Sequence, residues 1–220
     1  MLSDKYLFIY SFFYFFIIIN LYFSCFFDKM SLLFDEENES FTENYDDNKD
    51  NNSSLNKDNS IELSIYLIIN ELIKRTKNLS NYKKILSKQN RDIFTLKKIP
   101  KINLLQYLDR VTKYLQIERS TLIIGLIYFN RIILNNCIYV TDYNVHQLIL
   151  ISLIISYKNN EDITFENDYL SEIGGIKLKF FTQLEIKYLE LIDYNLFVSI
   201  DEFVKYKNLL QNYCFKYKYL

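Results

Sequence analysis

Apolar positions in the second half of the chain recur at the spacing of helices packed on a common core. Leu104, Leu108, Val111 and Leu115 stand at i, i+4, i+7 and i+11, one stripe of an amphipathic helix. The stretch 121–134, TLIIGLIYFNRIIL, and the middle of 142–158, DYNVHQLILISLIISYK, are apolar nearly all round. Both are too long for typical strands, and a helix that is apolar on every side belongs at the centre of a domain. Ser120 is placed to cap the first of them and Thr141 the second. A short helix near Asn167–Glu172 should stop at Gly174–Gly175, where a left-handed closing residue is easily supplied. Phe181, Leu184, Tyr188, Leu191 and Ile192 mark a fifth helix, and Ser199 with Glu202 has the spacing of a capping box for one more. The predicted class is all-α: five helices, two of them central and buried, followed by a C-terminal helix.

The first half is less regular. Ile61, Ile65, Ile68, Leu72 and Ile73 predict a helix that ends at Leu79. Residues 74–101 then carry ten Lys or Arg against the single acid Asp92, a run that reads as a solvated linker. Such a run can touch phosphates or act as a nuclear import signal, but Tyr82 and Phe94 are too few to stack on bases. Residues 28–60 hold ten acids and three bases, few large apolar side chains and no periodicity, which predicts disorder. Before them, Leu7–Phe27 runs for 21 residues without a charge, enough to span a bilayer. Its flanks, Asp4–Lys5 and Asp28–Lys29, are balanced and give no orientation. A membrane anchor, a long signal sequence, and translated non-coding DNA ahead of a start at Met30 all fit this stretch. The expected organisation is an apolar segment 1–29, an acidic tail 30–60, a helix and basic linker 61–98, a helical domain 99–196 and a final helix 197–220.

Composition narrows the chemistry. The chain has 220 residues, half of them apolar, with no Ala or Trp and an excess of Ile, Asn, Lys, Tyr and Phe. Those residues are encoded by codons rich in A and T, so the Asn and Tyr excess reflects nucleotide bias. Three glycines, two of them adjacent, cannot build a glycine-rich phosphate loop. His146 is the only histidine, which excludes HExxH zinc sites and multi-histidine metal clusters. Cys25, Cys137 and Cys214 are far apart and odd in number, as expected of reduced thiols. No enzymatic activity and no cofactor are expected.

Four segments carry a family resemblance, in order and at the family's spacing. YFNRII (128–133) resembles the cyclin segment written YIDRF or YIxRL. NVHQLILISLIISYK (144–158) is similar to the NVHRLLL...AxK helix of the P-type, phosphate-regulon-like cyclins. NDYLSEIGGIKL (167–178) resembles that subfamily's NxYxAxVGGI, and LEIKYLELIDYNLFVSIDEFVKY (184–206) its LExxFLxxIDFxLxVxxxEFxxY. The resemblance covers roughly 99–212 and implies a single cyclin box. It further implies a non-catalytic regulatory subunit, in the cytoplasm or nucleus, that binds and activates a cyclin-dependent-type protein kinase.

Carried over residue by residue, Lys158 falls on the lysine that closes the third helix of the box and Glu185 on the glutamate of the fifth. In cyclins that pair contacts the backbone of the kinase's regulatory helix. An ammonium suits exposed carbonyls, and a carboxylate suits the amides of a helix N-terminus. Ile154, Ile155 and Tyr188 are candidates for the apolar part of the same interface. Asn130 stands where many cyclins have Asp, and Gln147 replaces the Arg of NVHR, so the ion pairs those residues would make are in doubt. His146 matches the family's histidine and reads as structural. Nucleic acid is not the expected partner, although a cyclin-fold adaptor using 74–101 is the alternative reading. A membrane role depends wholly on 7–27 being translated and inserted.

Overall fold

The computed structural model describes residues 60–89 and 92–218, and among them every regular element is a helix. In chain order these are α1 (Ser60–Lys77), α2 (Tyr82–Gln89), α3 (Leu104–Leu115), α4 (Arg119–Asn135), α5 (Val145–Asn160), α6 (Asn167–Gly174), α7 (Leu178–Leu191) and α8 (Ile200–Lys218). The all-α expectation holds, and α3 to α7 are the five helices read from the periodicity.

α5 is the axis of the fold. Every residue from Val145 through Tyr157 is buried, as an apolar surface on all sides requires. It lies against α4, α7 and α3, while α4 also touches α8, α1 and α7. The two central helices meet closely at Gly125, where a Cβ would stand 2.7 Å from Leu153 Cδ2 and 3.0 Å from Ser156 Oγ. The missing side chain thus has a packing use that offsets its poor helix propensity. The two buried serines of α5 satisfy themselves within the helix. Ser152 Oγ donates to Leu148 O at 2.7 Å and Ser156 Oγ to Leu153 O at 2.8 Å.

α1 packs against α8, α3 and α4, and Ile65, Ile68, Ile69 and Ile73 share the central core. The helix expected outside the box is therefore part of the same packed body. The supposed linker after it is structured as well. α2 interrupts the basic run and buries Ile85, and Phe94 is buried edge-on to the Tyr188 ring at 6.0 Å. Few apolar residues among eleven charges made this periodicity too sparse to read.

Helix ends follow local chemistry, with two departures. Asn103 caps α3 by accepting from the Gln106 amide at 2.8 Å, and Gly175 closes α6 at φ 67°. Ser120 sits inside the first turn of α4, whose N-cap is Glu118. Thr141 heads a turn, and α5 begins only at Val145. The cause is Asn144, whose Oδ1 accepts from the Thr141 amide at 2.8 Å while its Nδ2 donates to Tyr139 O at 2.9 Å. That side chain holds residues 141–144 in a non-helical turn.

The strap between α7 and α8 is fixed from α4. Tyr128 OH donates to Leu196 O at 2.7 Å, and Arg131 donates to Asn195 O at 2.9 Å and Phe197 O at 2.7 Å. Arg131 also meets the Glu202 carboxylate at 2.6 Å. Ser199 does accept from the Glu202 amide at 3.2 Å. Only half the capping box forms, because the Glu202 carboxylate turns to Arg131. Among the described residues no helix is long and apolar enough to cross a membrane. Leu7–Phe27, Met30 and the acidic segment 35–54 lie outside them.

Candidate functional site

Two charged side chains predicted from separate segments come together. Lys158 ends the buried part of α5, one residue past Tyr157, where the helix emerges from the core. Glu185 lies on α7, one residue after the buried Leu184. Their side chains pair at 2.5 Å, and they are 29 % and 13 % exposed respectively. The pair is therefore held at the surface without being fully solvated, where an ion pair is screened less than a free surface contact.

The structure adds two residues that sequence reasoning missed. Lys158 Nζ donates at 2.6 Å to Oδ1 of Asn167, the first residue of α6. It also stands 5.8 Å from the centre of the Phe181 ring on α7. An ammonium has three donors. Glu185 and Asn167 take two, which leaves one N–H available. Glu185 bonds through Oε1, and a carboxylate carries two acceptor oxygens. The arrangement thus offers one fixed donor beside one fixed acceptor, a match for an exposed carbonyl and amide of another backbone. Asn167 opens the NDYLSEIGG segment, but nothing in its spacing singled it out.

Ile154, Ile155 and Tyr188 are not at the surface. They are 0 %, 3 % and 0 % exposed, buried by the packing of α4 and α7 around α5. This corrects their assignment as apolar contacts for a partner. Tyr188 reaches the Ser152 hydroxyl with its own OH. Since Ser152 spends its single proton on Leu148 O, the phenol is the donor. Burial pushes the Tyr188 phenol well up, so it stays protonated. Exposed apolar side chains follow Lys158 in the chain instead, in the link between α5 and α6 and on α6 itself. Ile163 is 85 % exposed, and Phe165 and Tyr169 also stand out of the core. Tyr157 stiffens this link by donating to Ile163 O at 3.1 Å and stacking on Phe165 at 6.4 Å.

The two substituted positions have found other work. Asn130 donates to the Tyr206 hydroxyl on α8, and burial pushes the Tyr206 phenol up to about 12. The Gln147 amide is buried at the start of α5, oriented to donate to Phe94 O at 2.8 Å and Ile93 O at 3.2 Å. It ties the segment before α3 to the central helix. His146 is buried with Nε2 3.2 Å from Ile102 O and its ring 5.1 Å from that of Tyr107. The carbonyl can only accept, so the proton sits on Nε2, and Nδ1 has no partner among the described residues. That placement is structural. Among the described residues no group of His, Cys, Asp and Glu could hold a metal ion.

Comparison with known proteins agrees with the fold. A cyclin family model matches residues 28–196. PHO85 cyclin-7 of Saccharomyces cerevisiae is 29 % identical over 170 residues, covering 69 % of this chain and 60 % of that protein. The PHO85 cyclin-like protein psl1 of Schizosaccharomyces pombe is 28 % identical over 120 residues, 54 % of this chain and 49 % of that one. Cyclin-P3-1 of Oryza sativa subsp. japonica is 28 % identical over 134 residues, 61 % and 56 % of the two chains. The chain thus spans between about half and three fifths of the length of these relatives.

Proposed function

Because the chain belongs to the cyclin family, we propose that it is a non-catalytic regulatory subunit that binds and activates a cyclin-dependent-type protein kinase in the cytoplasm or nucleus. The observation that carries this reading is the Lys158–Glu185 pair, held at 2.5 Å across two helices and buried enough to be fixed. Its spare donor and acceptor would read the backbone of the kinase's regulatory helix, with Ile163, Phe165 and Tyr169 supplying apolar area beside them. Packing on that helix would keep its Glu against the ATP-positioning Lys and order the activation loop. The cyclin shifts the kinase toward its active form only by the difference in its affinity for the two forms. Fixed charges serve that difference well, because they demand one backbone orientation.

Similarity to PHO85 cyclins supports the kind of partner. The test is affinity purification of the tagged full chain from its own cell, scored for a stoichiometric kinase and for phosphotransfer. Co-purification that survives in a folded Lys158→Ala/Glu185→Ala double variant would overturn the site. Absence of any kinase from a folded helical protein would overturn the function.

A further inference from the structure

One charged surface has no part in the kinase reading. The end of α1, α2 and the segment before α3 all rest on the turn that precedes α5. Lys77 pairs with Asp142 at 2.7 Å, Gln89 Nε2 donates to Tyr139 O at 2.6 Å, and the Leu96 amide donates to Tyr143 O at 2.8 Å. The Gln147 amide fixes the carbonyls of Ile93 and Phe94 from the same side. These ties gather one corner of the molecule from three stretches of a lysine-rich sequence. Lys74, Lys83, Lys84, Lys88, Lys97 and Lys98 are all exposed there. Among the described residues none of the six makes an ion pair, while the local acids are already engaged. Glu71 holds Arg75, Asp142 holds Lys77, and Asp92 accepts from the Phe94 amide.

We propose that this corner is a docking surface for an acidic segment, a run of Asp and Glu, of another protein. The chemistry favours that partner over nucleic acid in two ways. The two aromatic rings of the stretch are not free to stack on bases. Phe94 is buried, and Tyr82 is half-buried beside the Lys77–Asp142 pair, both of whose charges act on its phenol. Among the described residues the unengaged cations of this corner are lysines, compact charges that accept carboxylates in many geometries and lack the arginine fork suited to base edges and phosphates. The surface would therefore select acidic partners by charge, with strong dependence on salt. It stands apart from Lys158 and Glu185 in the sequence and on other helices, so it does not rest on the kinase reading.

The test is fluorescence anisotropy of a labelled deca-glutamate peptide titrated with the full chain, beside a Gly/Ser peptide and a 15-base-pair DNA duplex. The peptide should bind, and reversing three charges in Lys83→Glu/Lys84→Glu/Lys88→Glu should weaken it about tenfold at low salt. Reversing two exposed lysines elsewhere, Lys113→Glu/Lys179→Glu, should leave it within about twofold. If the triple variant fails to fold, Lys97→Gln/Lys98→Gln takes its place, with a loss of about threefold expected. Equal losses in the control variant, no binding of the peptide, or tighter binding of the duplex would each overturn the proposal.

Discussion

The Lys158–Glu185 pair allows stability and partner binding to be separated. Removing one partner strands a charge that is less than one third exposed, 29 % for Lys158 and 13 % for Glu185. A fully buried stranded charge costs about 3–5 kcal/mol and an exposed pair is worth at most about 1. A partly buried pair lies between, so Glu185→Gln or Lys158→Met should each lose about 1–2 kcal/mol. The lysine variant sits at the high end, because it strands the more deeply buried Glu185 carboxylate. In the double variant no charge is stranded and the desolvation cost disappears, so stability should return to within about 1 kcal/mol of the parent. If the pair exists to read another backbone, the restored protein should still have lost its kinase. Urea unfolding gives the first quantity and quantitative co-purification the second. A double variant that is stable and retains the kinase would refute the reasoning. One no more stable than the singles would show that the cost arises elsewhere.

Three further outcomes follow from the same geometry. Asn167→Ala removes one of the two acceptors that fix the Lys158 ammonium, so trace acylation of the isolated chain should show Lys158 reacting several-fold faster while helix content is unchanged; an unaltered rate would mean Asn167 does not hold it. Arg131→Gln leaves the carbonyls of Asn195 and Phe197 and the Glu202 carboxylate without their donor, and should cost about 1–3 kcal/mol, with faster amide exchange in the strap and the start of α8. Burial lowers the His146 pKa below its usual 6.5, against the smaller upward pull of the Ile102 carbonyl and Asp142. The unfolded chain therefore takes up the proton first, and stability is lost as pH falls through about 6.5 toward the folded value. His146→Gln should remove that part of the pH dependence between pH 7 and 5, read as the difference in melting temperature between variant and parent.

What could be read from the sequence, and what could not, divides along a physical line. A helix buried on all sides announces itself, because no other use suits thirteen consecutive core residues. α4, α5 and their order came from hydropathy alone, and the four motifs added the box. Burial by neighbours is not a property of one segment, and there the reading failed. Ile154, Ile155 and Tyr188 flank the charged pair in sequence, yet they are in the core because α4 and α7 close over α5. The same step from segment to neighbourhood gives the basic stretch its structure. Nothing within 74–101 predicts that Gln147, far along the chain, will hold the carbonyls of Ile93 and Phe94, or that Phe94 will meet Tyr188. Asn167 fits the same account. An asparagine at a helix start is ordinary in any sequence, and it acquires a role only when the end of α5 delivers an ammonium 2.6 Å from its side chain. A charged pair that spans two helices therefore reports on the fold as much as on a partner. Lys158 and Glu185 can meet only if α5 and α7 pack in this register, so a variant series at the site tests the architecture together with the function.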